Sequence, residues 1–172
     1  ITEAEVSQKY RVSKTPAREA LAVLCQEKLL SKIPRKGYMV KKLSLKELRK
    51  IYQFRDILEQ AAVEHAVRYA DEEEIRQLDV LASARVDTSD PEWIQEYHRV
   101  NTAFHIGVAA VMQNEYLIDV LRNVLAILQR DLIEDMKYIG VEKTLEAHKL
   151  IVEAIRRRDL SAALALSAQQ IN

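Results

Sequence analysis

The sequence predicts a mainly helical fold in two parts, with one short β-hairpin near the N-terminal end. Glycine and proline are scarce, with three of each in 172 residues, so few positions interrupt a helix. From residue 44 onward apolar residues recur at helical spacing, whereas residues 30–43 hold two β-prone runs around a turn. We therefore expect two domains, at 1–42 and 43–172, the second an all-helical antiparallel bundle.

Helix start signals divide the chain into eight predicted helices. Thr2 and Ser44 each stand three residues before a glutamate, the capping-box pattern that satisfies the free amides of a first turn. Four other residues suit the start of a helix: Asp71, Asp90 before Pro91, Asn114 and Asp159. The predicted helices span residues 3–10, 14–29, 45–69, 72–84, 91–112, 115–137, 141–157 and 160–171.

The N-terminal domain has the element order of a winged helix-turn-helix: two short helices and then a basic hairpin. Pro16 suits a helix start, because it lacks the amide that would be unpaired there. The second helix would enter the major groove of DNA with its N-terminus first, while Ala17, Leu21 and Leu24 pack inward. The residues expected to reach bases and phosphates are Ser13, Lys14, Thr15 and Arg18, with Arg35 and Lys36 at the hairpin tip.

The two domains differ in charge. Residues 1–42 contain ten Lys and Arg against four acids, a net charge of +6, while the remaining 130 residues carry −6. A basic segment attracts the phosphates of DNA without regard to sequence, whereas an acidic one is repelled. We therefore expect operator DNA as the partner of the first domain and a different task for the second.

Two other classes of protein are excluded by what the sequence lacks. No apolar run approaches the roughly 18 to 20 residues that span a bilayer, and the N-terminus lacks a secretory pattern, so we expect a cytoplasmic protein with no membrane partner. None of the four histidines follows a glutamate by three residues, and no phosphate loop or nucleophile elbow is present. We therefore do not expect an enzyme.

Residues 12–21, VSKTPAREAL, together with Leu29-Leu30 and residues 35–37, resemble the signature of the GntR regulators. The resemblance implies a homodimer that contacts its operator through Ser13, Lys14, Thr15, Arg18 and Gly37. Lys14 stands where arginine is usual, and lysine cannot read guanine with a bidentate fork. Family members carry one further helix before this point, so residues are expected to be missing ahead of Ile1.

One cation stands on an apolar stripe of the second domain. Arg55 lies three residues after Tyr52 and three before Leu58, so its side chain is expected to be buried and to need a partner. Glu59, one helical turn further on, is one candidate. The carboxylate of a bound ligand is the other, through bidentate contact with the guanidinium.

The histidines form a second polar group. His98, Asn101 and His105 fall on one helical face, and His148 lies on the apolar stripe of a later helix. If the two helices converge, these side chains would form either a site for a divalent transition metal or a polar cavity with hydrogen-bonded histidines.

Residues 44–172 resemble the FCD domain, the effector-binding domain of the FadR branch of the GntR regulators. The matching pieces are residues 54–59, FRDILE, residues 101–105, NTAFH, with Gln113-Asn114, and residues 146–148, EAH, followed by Arg158-Asp159. Metal-binding members have Asp at position 101 and His at 105, 148 and 170. Here Asn101 and Gln170 change two of those four ligands, with His98 as a substitute, so affinity for zinc, nickel or manganese would fall or be lost.

The resemblance implies that a small carboxylate effector binds near the polar group. Its implied contacts are Arg55, Asn101, His105, Thr144 and His148. Some members of the branch bind their effector directly, without metal. The sequence therefore predicts a DNA-binding transcription regulator under effector control. A helical ligand-binding or interaction module without DNA-binding activity is the alternative, although it leaves the basic hairpin unexplained.

Overall fold

The computed structural model describes residues 1–27, 29–40, 43–132 and 140–170. The chain divides into two compact units, Ile1–Ser44 and Leu45–Asn172. The predicted boundary after residue 42 lies two residues before this division. Helices dominate, and one two-stranded antiparallel sheet accompanies them, so the predicted fold class is confirmed.

The N-terminal unit contains two helices and a hairpin: α1 (Glu3–Tyr10), α2 (Lys14–Gln26), β1 (Leu30–Ile33) and β2 (Gly37–Val40). Thr2 and Glu5 form the predicted capping box at the start of α1. The strands pair antiparallel with Leu30 opposite Val40. Leu21 and Tyr38 are buried against Leu30 in a small core, and Ala17 is 1% exposed.

The turn of the hairpin requires a glycine at position 37. Its φ is +108°, and a Cβ added there would lie 2.5 Å from the carbonyl oxygen of Ile1. The amide of the next residue, Tyr38, donates to that same oxygen over 2.7 Å. Any other residue would therefore be strained and would push residue 1 away from the hairpin.

The described residues of the second unit form six helices: α3 (Leu45–Tyr69), α4 (Glu72–Ala82), α5 (Trp93–Ala110), α6 (Glu115–Leu132), α7 (Val141–Arg156) and α8 (Leu160–Gln169). The longest, α3, packs against α5, α6, α7 and α8, so its buried face is enclosed by the bundle. Phe104, Leu121 and Ile155 are among the fully buried side chains of the bundle. Burial of each contributes about 1.5 to 3 kcal/mol to the stability of the fold. Within the described ranges, no helix is both long and apolar enough to cross a lipid bilayer.

The predicted starts of the helices agree with the structure better than the predicted ends do. Asp71, Asn114 and Asp159 accept the amides of residues 74, 117 and 162 as predicted. Asp90 instead accepts the amide of Glu92, an Asx turn that delays the start of α5 to Trp93. Four helices end earlier than predicted: α2 by three residues, α4 and α5 by two, and α7 by one. The last predicted residue of α8, residue 171, lies outside the described residues. The predicted α6 residues 133–137 and hairpin residues 41–42 lie outside the described residues.

Arg158 closes the C-terminal end of α3. Its backbone is left-handed, with φ 57°, and its guanidinium donates to the carbonyl oxygens of Val67 at 2.8 Å and Ala70 at 2.6 Å. Carbonyls in the last turn of a helix lack intrahelical donors, and a cation is favourable at that end. No local signal indicates this role, because the arginine lies 88 residues from Ala70 along the chain.

We expect Arg158→Ala to lower the free energy of unfolding by about 2 kcal/mol, because it leaves partly buried carbonyls without donors. Chemical denaturation followed by circular dichroism measures this loss. Arg157→Ala is the matched control, since Arg157 is 71% exposed and pairs with Glu153 on the surface, an interaction worth about 0.5 kcal/mol. Equal losses in the two variants would contradict the proposed capping role.

Candidate effector pocket and DNA-binding surface

A closed triad of polar side chains lies in the core of the helical unit. Arg55 and Glu59 stand one turn apart on α3 and are 5% and 4% exposed. Arg55 Nε is 2.6 Å from Glu59 Oε1, Glu59 Oε2 is 3.1 Å from His105 Nδ1, and His105 Nε2 is 3.0 Å from Arg55 Nη2. Because arginine can only donate, His105 Nε2 is the acceptor of that bond, and the Nδ1 proton faces Glu59.

The sequence left two candidate partners for the buried Arg55, and the structure shows which of them it contacts. Glu59 pairs with it directly, as the first alternative predicted, and His105 joins from α5. Burial by itself raises the pKa of Glu59, but attraction and hydrogen bonds from His105 and Arg55 outweigh burial and hold that pKa at about 2. Glu59 is therefore ionised at neutral pH.

His148 lies beside the triad. The side chain is fully buried, stacks on Phe104 with ring centroids 3.9 Å apart, and meets the His105 ring edge-on at 5.2 Å. Neither ring nitrogen forms a well-aligned hydrogen bond within the described residues, and its polar neighbour is the side chain of Gln170, which acts to raise the pKa of the ring. Burial, with a smaller effect from His105, lowers the pKa of His148 to about 3, so the ring is neutral.

Two adjoining cavities open beside these groups. The inner chamber measures about 90 Å³ and the outer cavity about 920 Å³. They share Tyr52, Thr144 and Gln170 in their walls, so these side chains border both volumes. Other residues of the inner chamber are Arg55, Tyr97, His98, Asn101, Leu125, Leu128 and Gln129.

The structure brings most of the predicted effector residues to the inner chamber. Arg55, Asn101 and Thr144 line it. His105 and His148 lie behind that wall: His105 contacts Arg55, and His148 contacts His105 and Phe104. The predicted cluster therefore has two layers, one lining the chamber and one supporting it.

Gln129 is a lining residue that the sequence analysis missed. Its amide donates to the hydroxyl of Thr102 and, over 3.5 Å, to the carbonyl of His98. A signal was present, because Gln129 lies one turn after the buried Leu125 on the apolar face of α6. A polar residue at such a position indicates a buried polar contact.

The residues present do not fit the metal ion that the FCD resemblance implies. A transition metal bound to His105 Nε2 would lie about 2 Å from it, but the Arg55 guanidinium already contacts that nitrogen at 3.0 Å, and two cations repel each other. Asn101 and Gln170 would supply only neutral amides. Within the described ranges, no three His, Cys, Asp or Glu side chains are grouped to hold a metal ion. The Arg55 guanidinium contacts the His105 nitrogen that a metal ion would need.

The predicted DNA-contacting residues lie on the surface of the N-terminal unit. Those on α2 and in the hairpin turn are exposed: Ser13, Lys14, Thr15, Arg18, Arg35 and Lys36. Ser13 is the N-cap of α2 but its side chain makes no capping hydrogen bond. Gly37, the first residue of β2, is partly buried. Arg18 is paired with Glu3 at 3.1 Å, a contact between α1 and α2 that the sequence analysis did not include.

A helix-turn-helix with a hairpin wing, followed by a helical unit, is the architecture of one class of protein: a transcription regulator with a helical C-terminal domain. Comparison with known proteins supports this class. Residues 50–172 match the FCD domain family, which covers the helical unit almost completely.

Three similar proteins illustrate the relationship. The HTH-type transcriptional regulator YdhC of Bacillus subtilis is 32% identical over 95% of this chain and 74% of its own length. The gluconate operon transcriptional repressor of Bacillus licheniformis is 24% identical, over 92% of this chain and 68% of its own length. The structure of Escherichia coli McbR/YncC superposes with a TM-score of 0.76 at 20% identity, covering 99% of this chain and 82% of that one. The chain therefore belongs to the GntR family of transcriptional regulators, in the branch with an FCD domain.

Proposed function

We propose that the chain binds operator DNA as a homodimer, and that a small carboxylate bound directly in the helical unit controls this binding. The observation that carries the proposal is the buried guanidinium of Arg55 at the wall of a polar chamber, 5% exposed and held by Glu59 and His105. A guanidinium held in one orientation is suited to bidentate contact with a carboxylate. One relative is named for the operon of gluconate, a carboxylate.

The surroundings of Arg55 support an anionic ligand. The outer cavity carries Arg49 and Lys143 against one acid, Asp56. An anion would be drawn to this mouth and then held by Arg55.

The exposed basic residues of the N-terminal unit support contact with DNA. Lys14 and Arg18 stand on the first turns of α2, and Arg35 and Lys36 stand in the hairpin turn. In a homodimer, two copies of α2 would enter successive major grooves of a pseudo-palindromic operator. The effector would act by binding one of two dimer states more tightly and so shifting their populations.

We expect Lys14→Ala and Arg18→Ala each to weaken operator binding by about tenfold, and each lost phosphate contact to reduce the salt slope by about one. An operator is first selected from random-sequence duplexes, and affinity is then measured by fluorescence anisotropy at several fixed salt concentrations. Arg68→Ala is the control: Arg68 is an exposed cation of the helical unit, 54% exposed and paired with Glu64, and its loss should leave affinity unchanged.

Two outcomes would contradict the assignment of these contacts. The first is an Arg18→Ala variant that binds the operator as tightly as the wild type at every salt concentration. The second is a wild-type chain that selects no sequence at all, which would favour a helical ligand-binding module without DNA-binding activity. Circular dichroism is the check that the variants remain folded. We expect them to be folded, because the exposed Arg18–Glu3 pair contributes little to stability.

A further inference from the structure

The guanidinium of Arg18 on α2 is held in place by an acid from α1. It donates through Nε to Glu3 Oε1 and through Nη2 to Glu3 Oε2, each over 3.1 Å. The side chain of Arg18 is nevertheless 65% exposed, while that of Glu3 is 26% exposed. An exposed ion pair of this kind contributes little to the stability of a fold. Its consequence is instead that the guanidinium is kept in one orientation on the protein surface.

A hydroxyl group from the hairpin holds the carboxylate in turn. Tyr38 on β2 is buried in the small core with Leu21 and Leu30, and its hydroxyl donates to Glu3 Oε1 over 3.3 Å. Because the ring is buried, the position of this hydroxyl is fixed by the hairpin. Tyr38, Glu3 and Arg18 therefore form a series of contacts that runs from the hairpin through α1 to α2.

The contact with Glu3 leaves one edge of the Arg18 guanidinium available. Glu3 bonds to the edge formed by Nε and Nη2. The outer edge, which consists of Nη1 and the second proton of Nη2, takes no part in that contact. Two parallel N–H groups on this edge match a pair of neighbouring acceptors, and guanine offers such a pair, O6 and N7, in the major groove of DNA.

The composition of α2 makes Arg18 its residue for guanine. The helix carries two cations, Lys14 and Arg18. Lysine presents a point charge without a fork, so it suits a phosphate better than the paired acceptors of a base. A phosphate accepts a flexible cation from many directions, whereas a base edge requires donors at a set position and angle. The fixed orientation of Arg18 therefore favours a contact with a base.

We propose that Arg18 reads one guanine of the operator with the outer edge of its guanidinium, and that Glu3 and Tyr38 are positioning residues that hold this edge toward the DNA. This rests on the proposed function, because it requires that α2 enter the major groove. Removing the negative charge of Glu3 would by itself strengthen binding to DNA. The proposal predicts the opposite for the operator, since the guanidinium would lose its orientation.

Glu3→Met tests the positioning role, because methionine has a similar length but no acceptor. Affinity for an operator selected from random-sequence duplexes is measured by fluorescence anisotropy at fixed salt. We expect an affinity loss of about fivefold, the usual effect of having to immobilise a flexible side chain on binding. Affinity for a scrambled duplex should stay the same or increase. Glu27→Met is the matched control, since Glu27 is an exposed acid at the other end of α2 and its loss changes the charge equally. If Glu3→Met binds the operator as tightly as Glu27→Met, the positioning role is wrong.

A double-mutant cycle distinguishes positioning from support of the fold. Glu3→Met should have no further effect on operator affinity in the Arg18→Ala background, because the guanidinium that it orients is gone. The same fivefold loss in both backgrounds would show that Glu3 acts on the fold and would overturn its positioning role. Tyr38→Phe removes only the hydroxyl and should weaken operator binding by about twofold in the wild type and not at all in Glu3→Met. Equal losses in those two backgrounds would overturn the role of Tyr38.

Operators with 7-deazaguanine test the contact with the base. This analogue pairs with cytosine but lacks the N7 acceptor, and it is placed at one guanine position of the half-sites at a time. At one position it should weaken wild-type binding by about fivefold and leave the affinity of Arg18→Ala unchanged. If no position behaves in this way, Arg18 does not read guanine, and the inference is wrong while operator binding stands. If the wild type selects no operator, the proposed function and this inference both fail.

Discussion

Replacing Arg55 by alanine is expected to lower the free energy of unfolding of the helical unit by about 3 to 5 kcal/mol, the usual effect of breaking a buried ion pair from one side. The variant leaves Glu59 4% exposed and without its 2.6 Å contact to Arg55 Nε. In the wild type, His105 and Arg55 outweigh burial and hold the pKa of Glu59 at about 2. Without Arg55, Glu59 must either stay charged in the core with less compensation or take up a proton, and both cost stability. His105 also loses the donor to its Nε2.

Chemical denaturation at neutral pH measures this effect. Arg68→Ala on the same helix is the control, because that exposed cation pairs with Glu64 on the surface and its loss should change stability by about 0.5 kcal/mol or less. If Arg55→Ala does not fold, the double variant Arg55→Met, Glu59→Leu keeps the prediction testable. It replaces both charges by apolar groups and should recover most of the stability. A loss below about 1 kcal/mol in Arg55→Ala would contradict the structural role of the triad.

Lowering the pH from 6.5 to 5 is expected to cost the chain about 2 kcal/mol of unfolding free energy through His148 alone. The pKa of His148 falls from 6.5 to about 3 because burial disfavours the charged ring. The unfolded chain therefore takes up a proton below pH 6.5, while the folded chain does not until about pH 3. Above pH 6.5, His148 does not lower the free energy of unfolding. Between pH 6.5 and pH 3 that free energy falls by about 1.4 kcal/mol per pH unit because of His148.

Denaturation at pH 6.5 and pH 5, with a chelator present, measures this loss in the wild type and in two variants. His148→Asn should remove the loss, whereas His98→Asn should remove less, because His98 is only partly buried and its pKa is lowered by that burial alone. The pKa of Glu59, about 2, and the usual value for a free Glu lie below this window, so Glu59 does not interfere.

A second measurement does not depend on the variants. In the wild-type chain, the carbon-bound ring protons of His148 should show no titration by NMR between pH 7 and pH 5, because the folded ring stays neutral down to its pKa of about 3. A His148 ring that titrates near pH 6.5, or a His148→Asn variant that keeps the whole pH dependence, would show that burial does not exclude the proton.

Local sequence patterns predicted the elements of this protein, because the contacts that start a helix lie within three or four residues. The caps at Thr2, Asp71 and Asp159 are of this kind. The apolar stripe of α3 likewise placed Arg55 inside, since periodicity alone assigns a helical face. The Asp90 cap was wrong, because an Asx turn competes for the same side chain.

The sequence by itself determined the fold class, the order of elements and the face on which each polar residue lies. Only the tertiary structure decided which faces meet. The 3.0 Å contact between Arg55 and His105 joins residues 50 positions apart, and it places a guanidinium where the family resemblance implied a metal. The contact of Arg158 with the end of α3 depends in the same way on the packing of distant helices. Sequence periodicity gives the direction of a side chain from its own helix, but its partners come from the packing of helices that are far apart along the chain.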